Sequence, residues 1–210
     1  MRMRKKPNLI PRLAAVEGLI LKQDKVRDFI KSECQKYEYV ELELGCGKGA
    51  FTMELAKLKP NSLILALEKV PEAAVVAMER INAEGLNNVR FLLEDAAELC
   101  EFLDSSSVDR IYINFPDPWK KKKQWKRRLT HPDFLRLYKK ILRPGAEIHF
   151  KTDNEPLFDW SCEVIPTEGF EIKNVNRDLH ADGVCGIMSD YESKFHMQGL
   201  PIYRLEAYIK

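Results

Sequence analysis

Apolar and polar positions along most of this chain follow two periods that take turns. Short runs rich in Val, Ile, Leu and aromatic residues at 40–44, 63–67, 89–93, 108–115, 146–152, 170–176 and 203–209 predict strands. Stretches with helical spacing lie between most of them, at 50–57, 71–84, 96–103, 131–142 and 155–168. The helix over 71–84 has Pro71 in its first turn and Gly85 just past its end, the usual asymmetry of start and stop signals. Pro144-Gly145 ends the helix over 131–142 in the same way. Ahead of the first strand, an N-terminal arm leads into a helix with Val26, Phe29 and Ile30 on one face.

Strands separated by helices of this length predict a parallel sheet with helices on both faces. The end of the chain departs from the rule. The runs at 170–176 and 203–209 are joined only by the irregular stretch 177–201, so an antiparallel last strand is expected beside an otherwise parallel sheet. The expected fold is therefore a Rossmann-like α/β arrangement with seven strands. No internal repeat or low-complexity linker divides it. The chain reads as one domain, with a basic arm and helix over 1–38 and the core over 39–210.

Composition changes this picture in two places. The 210 residues carry a net charge of only +2, yet Lys120 to Arg128 (KKKKQWKRR) holds seven Lys/Arg and no acid. Removing those seven from the 34 basic residues leaves 27 against 32 acids, a net of −5. A mildly acidic body thus carries one concentrated basic segment, with a smaller cluster at Arg2, Arg4, Lys5 and Lys6. Such a field favours a polyanion at one place. Five scattered cysteines and four histidines show no metal-ligand spacing and no disulfide framework, so reduced thiols and no metal are expected. No apolar run is long enough to span a bilayer and none follows the basic N-terminus as in a signal peptide, which predicts a cytoplasmic protein with no membrane partner.

Candidate chemistry begins where the first strand ends. Glu41-Leu-Glu-Leu-Gly-Cys-Gly-Lys-Gly49 runs from strand to helix, and Gly45, Gly47 and Gly49 let the backbone turn sharply and approach a ligand. The third glycine comes one residue too early for the dinucleotide fingerprint, and the Gly-Lys-Ser/Thr end of a phosphate loop is missing. The pattern resembles motif I of class I methyltransferases, which wraps S-adenosyl-L-methionine. Glu68 ends the next strand, where an acid can bond both ribose hydroxyls, and Asp95 follows the third strand, placed for the adenine amino group. Each acid alone also reads as a helix cap or a solvated residue. Glu43 either joins this site or points outward from an alternating strand.

The fourth strand runs into Asn114-Phe-Pro-Asp-Pro-Trp119, where two prolines stiffen the backbone around Asp117. The basic segment follows at once. Its residues Lys120, Lys122, Lys123, Lys126, Arg127 and Arg128 are candidates for RNA binding, although a solvated charged loop has the same composition. Trp119 and Trp125 could stack on bases, and Trp119 could equally anchor the loop in the core. Methylation of guanine N7 suits such a loop, because N7 has a lone pair and no proton to lose. It requires alignment and a carboxylate to offset charge developing on the purine, a role open to Asp117.

With Asn-Phe-Pro-Asp-Pro-Trp followed by Lys-Arg-Arg-Leu-Thr, nearly the whole chain resembles the bacterial tRNA (guanine-N7)-methyltransferases, which modify the guanine at tRNA position 46 in the variable loop. The resemblance implies S-adenosyl-L-methionine as cofactor, S-adenosyl-L-homocysteine as product and tRNA as partner. It implies that Glu43, Glu68, Asp95 and Asp117 contact the cofactor or the catalytic centre. It also implies substrate contacts from Lys121, Asp153 and the segment Ser189-Asp190-Tyr191-Glu192. The family's Pro-Lys after the Trp is Lys120-Lys121 here, its histidine pair is Gln124-Trp125, and its Thr is Ser189. Monomer and homodimer both remain open. An amino-group methyltransferase, a nicotinamide oxidoreductase and a catalytically silent RNA-binding protein are the rival readings of the same motifs.

Overall fold

The computed structural model describes residues 8–33 and 35–209, so Cys34 and the basic cluster at Arg2 to Lys6 lie outside the described residues. The chain divides into two compact units, one ending at Leu103 and the other starting at Asp104.

The first unit contains α1 (Leu9–Ala15), α2 (Val26–Glu33), β1 (Tyr39–Leu44), α3 (Ala50–Leu58), β2 (Ser62–Leu67), α4 (Pro71–Ala83), β3 (Val89–Leu92) and α5 (Leu99–Phe102). Its strands are parallel in the order β3-β2-β1. Every residue of β2 is buried, which explains why that strand reads as a continuous apolar run and not as an alternation. The arm expected before the first strand carries two features that its sequence hides. Arg12 on α1 makes a two-pronged ion pair with Glu79 on α4. Leu21 then donates its N–H to the Phe91 carbonyl and Ile20 bridges Phe91, which covers the edge of β3.

The second unit contains β4 (Val108–Asn114), α6 (Pro132–Ile141), β5 (Leu142–Thr152), α7 (Glu155–Val164), β6 (Phe170–Asn176), α8 (Asp190–Met197) and β7 (Tyr203–Ile209). Its strand order is β4-β5-β7-β6, and β7 runs antiparallel to both neighbours. Within each unit the pairings are parallel apart from those of this last strand, as the sequence predicts.

Three of the differences from expectation have a clear physical reason. β5 starts at Leu142 and not at Ala146, because Leu142 already pairs with Val108; the register then shifts before Glu147 pairs with Arg110, and Gly145 at φ 78° lies within that shift. The helix over 96–103 opens with a 3-10 turn at Ala96–Glu98, capped by Asp95. The stretch 177–201 is not wholly irregular, since it contains α8. Ser189 and Glu192 form a capping box at its start, a serine–x–x–glutamate signal legible in the sequence.

Candidate active site

In the first unit, strand register brings the ends of three strands level. Leu44 pairs with Leu67 and Leu67 with Leu92, so Gly45 and Glu68 leave the sheet side by side, with Leu93 next in line. Gly45, Gly47 and Gly49 all have positive φ, at 78°, 58° and 76°. These are left-handed conformations that side chains disfavour. Their surroundings differ. A Cβ on Gly45 or Gly47 would meet nothing within 4 Å, whereas one on Gly49 would stand 2.5 Å from the Ala77 Cβ. Gly49 is therefore glycine so that the loop can pack on α4, and the first two leave an open face.

Glu68 closes this loop from below. Its carboxylate accepts from the Gly47 N–H at 3.0 Å and from the Val70 N–H at 2.9 Å. Glu43 is buried, so of its two sequence readings the outward one does not hold. Thr52 donates its hydroxyl to Glu43 at 2.5 Å. Between these acids the Cys46 thiol is pushed well above its ordinary range, first by burial and then by the charges of Glu43 and Glu68. Asp95 accepts from the Ala97 N–H at 3.0 Å as a cap, and its other oxygen lies 3.4 Å from the Lys69 ammonium. The half-buried Glu94 beside it has its carboxyl raised, by burial and then by Glu98.

In the second unit, β4 runs out at Asn114 opposite Lys151, and Phe115 donates its N–H to the Lys151 carbonyl at 2.9 Å. Phe115 and Trp119 both have positive φ, at 52° and 42°. The loop between them is thus bent at each end and stiffened by Pro116 and Pro118 in the middle. Asp117 is exposed at its tip. Arg128 fixes the far side by donating from Nε to the Pro118 carbonyl at 2.9 Å.

The basic segment is a 3-10 turn over Lys122–Arg127. Lys120, Lys121, Lys122, Lys123, Lys126 and Arg127 are exposed, with the Arg127 guanidinium 5.0 Å from the Trp119 ring centre. Arg128 stands apart. It is buried, its guanidinium lies 4.5 Å from the ring centres of both Trp125 and Trp160, and burial lowers its pKa.

The segment Ser189 to Glu192 divides by face. Tyr191 is exposed, stacks on Phe195 and lies 5.3 Å from the Phe115 ring. Its hydroxyl is raised by burial and then by the charge of Asp153. Asp190 is exposed as well. Glu192 is completely buried and accepts from Lys151 at 3.0 and 3.1 Å, from the Ser189 N–H at 3.2 Å, and shares a contact of 3.0 Å with His180 Nε2. Lys151 also donates to the Ile187 carbonyl at 2.8 Å, and burial lowers its pKa against the pull of Glu192. Lys151 and His180 are residues that sequence reasoning missed. A lysine inside a strand and a lone histidine in a loop carry no signal until a buried carboxylate joins them.

Among the described residues no group of His, Cys, Asp or Glu could hold a metal ion, and no helix is long and apolar enough to cross a membrane. The four described cysteines are free thiols.

A glycine loop between level strand ends, on a seven-stranded sheet with an antiparallel last strand, defines a methyltransferase of the Rossmann-like class. Residues 37–205 match the family described as "Putative methyltransferase". The chain is 38% identical over 209 residues to the tRNA (guanine-N(7)-)-methyltransferase of Geobacillus kaustophilus, covering 99% of this chain and 96% of that one. It is 43% identical over 171 residues to the enzyme of that name from Lactococcus lactis subsp. cremoris, covering 80% of this chain and 79% of the other. The chain belongs to the tRNA (guanine-N(7)-)-methyltransferase family. A solved structure of the 16S rRNA methyltransferase KamB shares the fold, with a TM-score of 0.68 at 18% identity, over 86% of this chain and 92% of that one.

Proposed function

We propose that this protein transfers a methyl group from S-adenosyl-L-methionine to N7 of a guanine in tRNA, at position 46 in the variable loop. The observation that carries this reading is the span of the match. A relative named tRNA (guanine-N(7)-)-methyltransferase aligns with 99% of the chain, so both the glycine loop and the basic segment fall inside the similarity.

The residues at the strand ends fit the cofactor. Gly45 and Gly47 leave open space where a side chain would stand, and the part-buried Glu68 already orders the loop backbone beside it. Glu68 would hold the ribose hydroxyls, Asp95 the adenine edge, and the backbone at Gly45 and Gly47 the methionine arm. Glu43, held by Thr52, would set the potential beneath that arm. The cofactor supplies an electrophilic methyl group on a sulfonium. The protein supplies alignment and charge.

Guanine N7 attacks with its own lone pair, so no residue has to remove a proton first. Asp117 would hold the base edge and offset the positive charge that grows on the purine, and its stiff loop would keep that geometry through the reaction. Lys121, Asp153 and Tyr191 would bind the guanine nucleotide, and the exposed lysines together with Arg127 would draw in the RNA backbone.

The direct test is to incubate the protein with methyl-labelled S-adenosyl-L-methionine and unmodified bulk tRNA, then digest and identify the labelled nucleoside. Labelled 7-methylguanosine is the expected product, and mapping the labelled oligonucleotide from a partial nuclease digest should place it at position 46. Label on adenine N6 or guanine N2 would overturn the assignment.

A further inference from the structure

The second unit contains a pocket of about 520 Å³ whose lining includes Pro118, Lys120, Trp125, Arg128, Asn154 and Trp160. A volume of that size is within the range of small-molecule sites. Three of these residues are chain neighbours of residues proposed above for the guanine: Pro118 follows Asp117, Lys120 precedes Lys121, and Asn154 follows Asp153. One residue step is about 3.8 Å, so the pocket sits beside the guanine residues without being made of them.

Its chemistry is one-sided. Two cations and two indoles contribute to the wall, and no carboxylate does. Arg128 is only 5% exposed, yet its charge rests on ring faces and one carbonyl and not on an acid. Two buried donors in the lining residues, Arg128 Nη1 and Trp125 Nε1, have no partner among the described residues. A brace for the Pro118 loop explains Arg128 Nε but neither of these. Unmatched buried donors are costly, and such groups in a folded protein call for a missing partner. The missing partner must offer acceptor oxygens, carry negative charge and tolerate aromatic walls. A nucleotide meets all three conditions, since its phosphate and base carbonyls accept and its base stacks on indole or guanidinium.

We infer that this pocket takes a second, non-reacting nucleotide of the tRNA, adjacent to the guanine, with its base against the Trp125 and Trp160 indoles and its oxygens on Arg128 and Trp125 Nε1. The exposed Lys120 meets the neighbouring phosphate. This rests on the reading of tRNA as substrate. It assigns to Trp160, on α7 and outside every motif in the sequence, a share in holding the RNA.

The experiment follows tryptophan fluorescence while an unstructured adenosine hexaribonucleotide is added to the full chain, with tripolyphosphate as the anion control. The hexanucleotide is expected to quench emission, and tripolyphosphate to do so far less. Trp160→Leu is expected to abolish the quenching, and Trp125→Phe, which keeps a ring but removes the donor, to weaken it. Loss of one stacked base is expected to raise KM for tRNA roughly tenfold to a hundredfold, with kcat at saturating tRNA nearly unchanged. Adenosylhomocysteine binding checks that each variant is folded, and Trp125→Phe remains decisive if Trp160→Leu is not. Wild-type quenching and KM in both variants would overturn the inference, as would equal quenching by tripolyphosphate. If the wild-type protein quenches with RNA but forms no 7-methylguanosine, the proposed function fails and the pocket stands.

Discussion

At the ends of β1, β2 and β3 the candidate residues sit on backbone whose register is set by ladder hydrogen bonds, whereas those after β4 and β5 hang on loops that side chains must hold. Glu68 leaves its strand next to Leu67, itself paired with Leu44 and Leu92, and it then orders the glycine loop by accepting from Gly47. In the second unit Arg128 has to reach back to Pro118, and Lys151 and His180 have to converge on Glu192, before the loops have a shape. The first arrangement takes its geometry from the sheet, and the candidate acid it buries, Glu43, accepts from the Thr52 hydroxyl. The second hangs its loops on the buried cluster of Lys151, Glu192 and His180, so that losing one member releases them.

The largest effect should come from Glu192. Glu192→Ala leaves the buried Lys151 ammonium without its carboxylate, and breaking a buried pair in this way costs about 3–5 kcal/mol. Denaturant unfolding should show that loss, with hydrogen exchange rising across 178–197. Replacing both partners together, Lys151→Met with Glu192→Leu, should recover much of the stability but not the turnover, because Ser189 and Tyr191 lose their anchor. A Glu192→Ala protein as stable as wild type would mean that the loops of the second unit are held by something else.

Asp117→Ala should come next, with the opposite signature. Asp117 is exposed, so unfolding should be unaffected, while turnover falls about 10²–10³-fold, the size expected for a group that stabilises charge only in the transition state. Affinity for tRNA, measured by filter binding, should stay within about twofold. If tRNA binding collapsed too, Asp117 would be a recognition residue.

The same contrast governs what the sequence reveals. Strands, their order of appearance and the glycine loop are legible because local periodicity and turn chemistry produce them. Glu43 is an exception within the first unit. Alternation left its direction open, and only burial by α3 and the Thr52 hydroxyl decides it. The second unit hides more. Pro144-Gly145 reads as a break after a helix, yet both residues lie inside β5, where the register shifts between Leu142 and Glu147. α8 had a readable capping box but too short an apolar pattern around it. Arg128 reads as one more cation in a basic run. Its burial depends on Trp160, 32 residues further on, and no spacing rule connects the two.

A pair of glycine substitutions sharpens the picture of the first unit. Gly47→Ala should cost about 1–2 kcal/mol for a left-handed alanine, with no clash. Gly49→Ala carries the same strain and also drives its Cβ into Ala77, so its loss of stability should be clearly greater. Adenosylhomocysteine affinity, by calorimetry, should rank the other way once the folded fraction is matched, because only Gly47 faces the open side. Equal ranking in both measurements would remove Gly47 from the proposed cofactor site.

The smallest effect belongs to the exposed lysines. Replacing Lys121, Lys122 and Lys123 together with Ala should leave folding unchanged, since all three are exposed. Each lysine that meets a phosphate contributes about 0.7–0.9 to the slope of log affinity against log salt. The triple variant should therefore lose a slope of roughly two to three, with the weakening most visible at low salt and fading as salt rises. Arg128→Ala should behave differently, because that guanidinium is buried, holds Pro118 and is assigned a nucleotide's oxygens, so its loss should appear in stability and turnover as well as in tRNA affinity. Identical salt slopes for wild type and the lysine variant would take these three lysines out of RNA binding. The Arg128 contrast would then be the remaining evidence that this stretch serves the Asp117 loop by holding its shape.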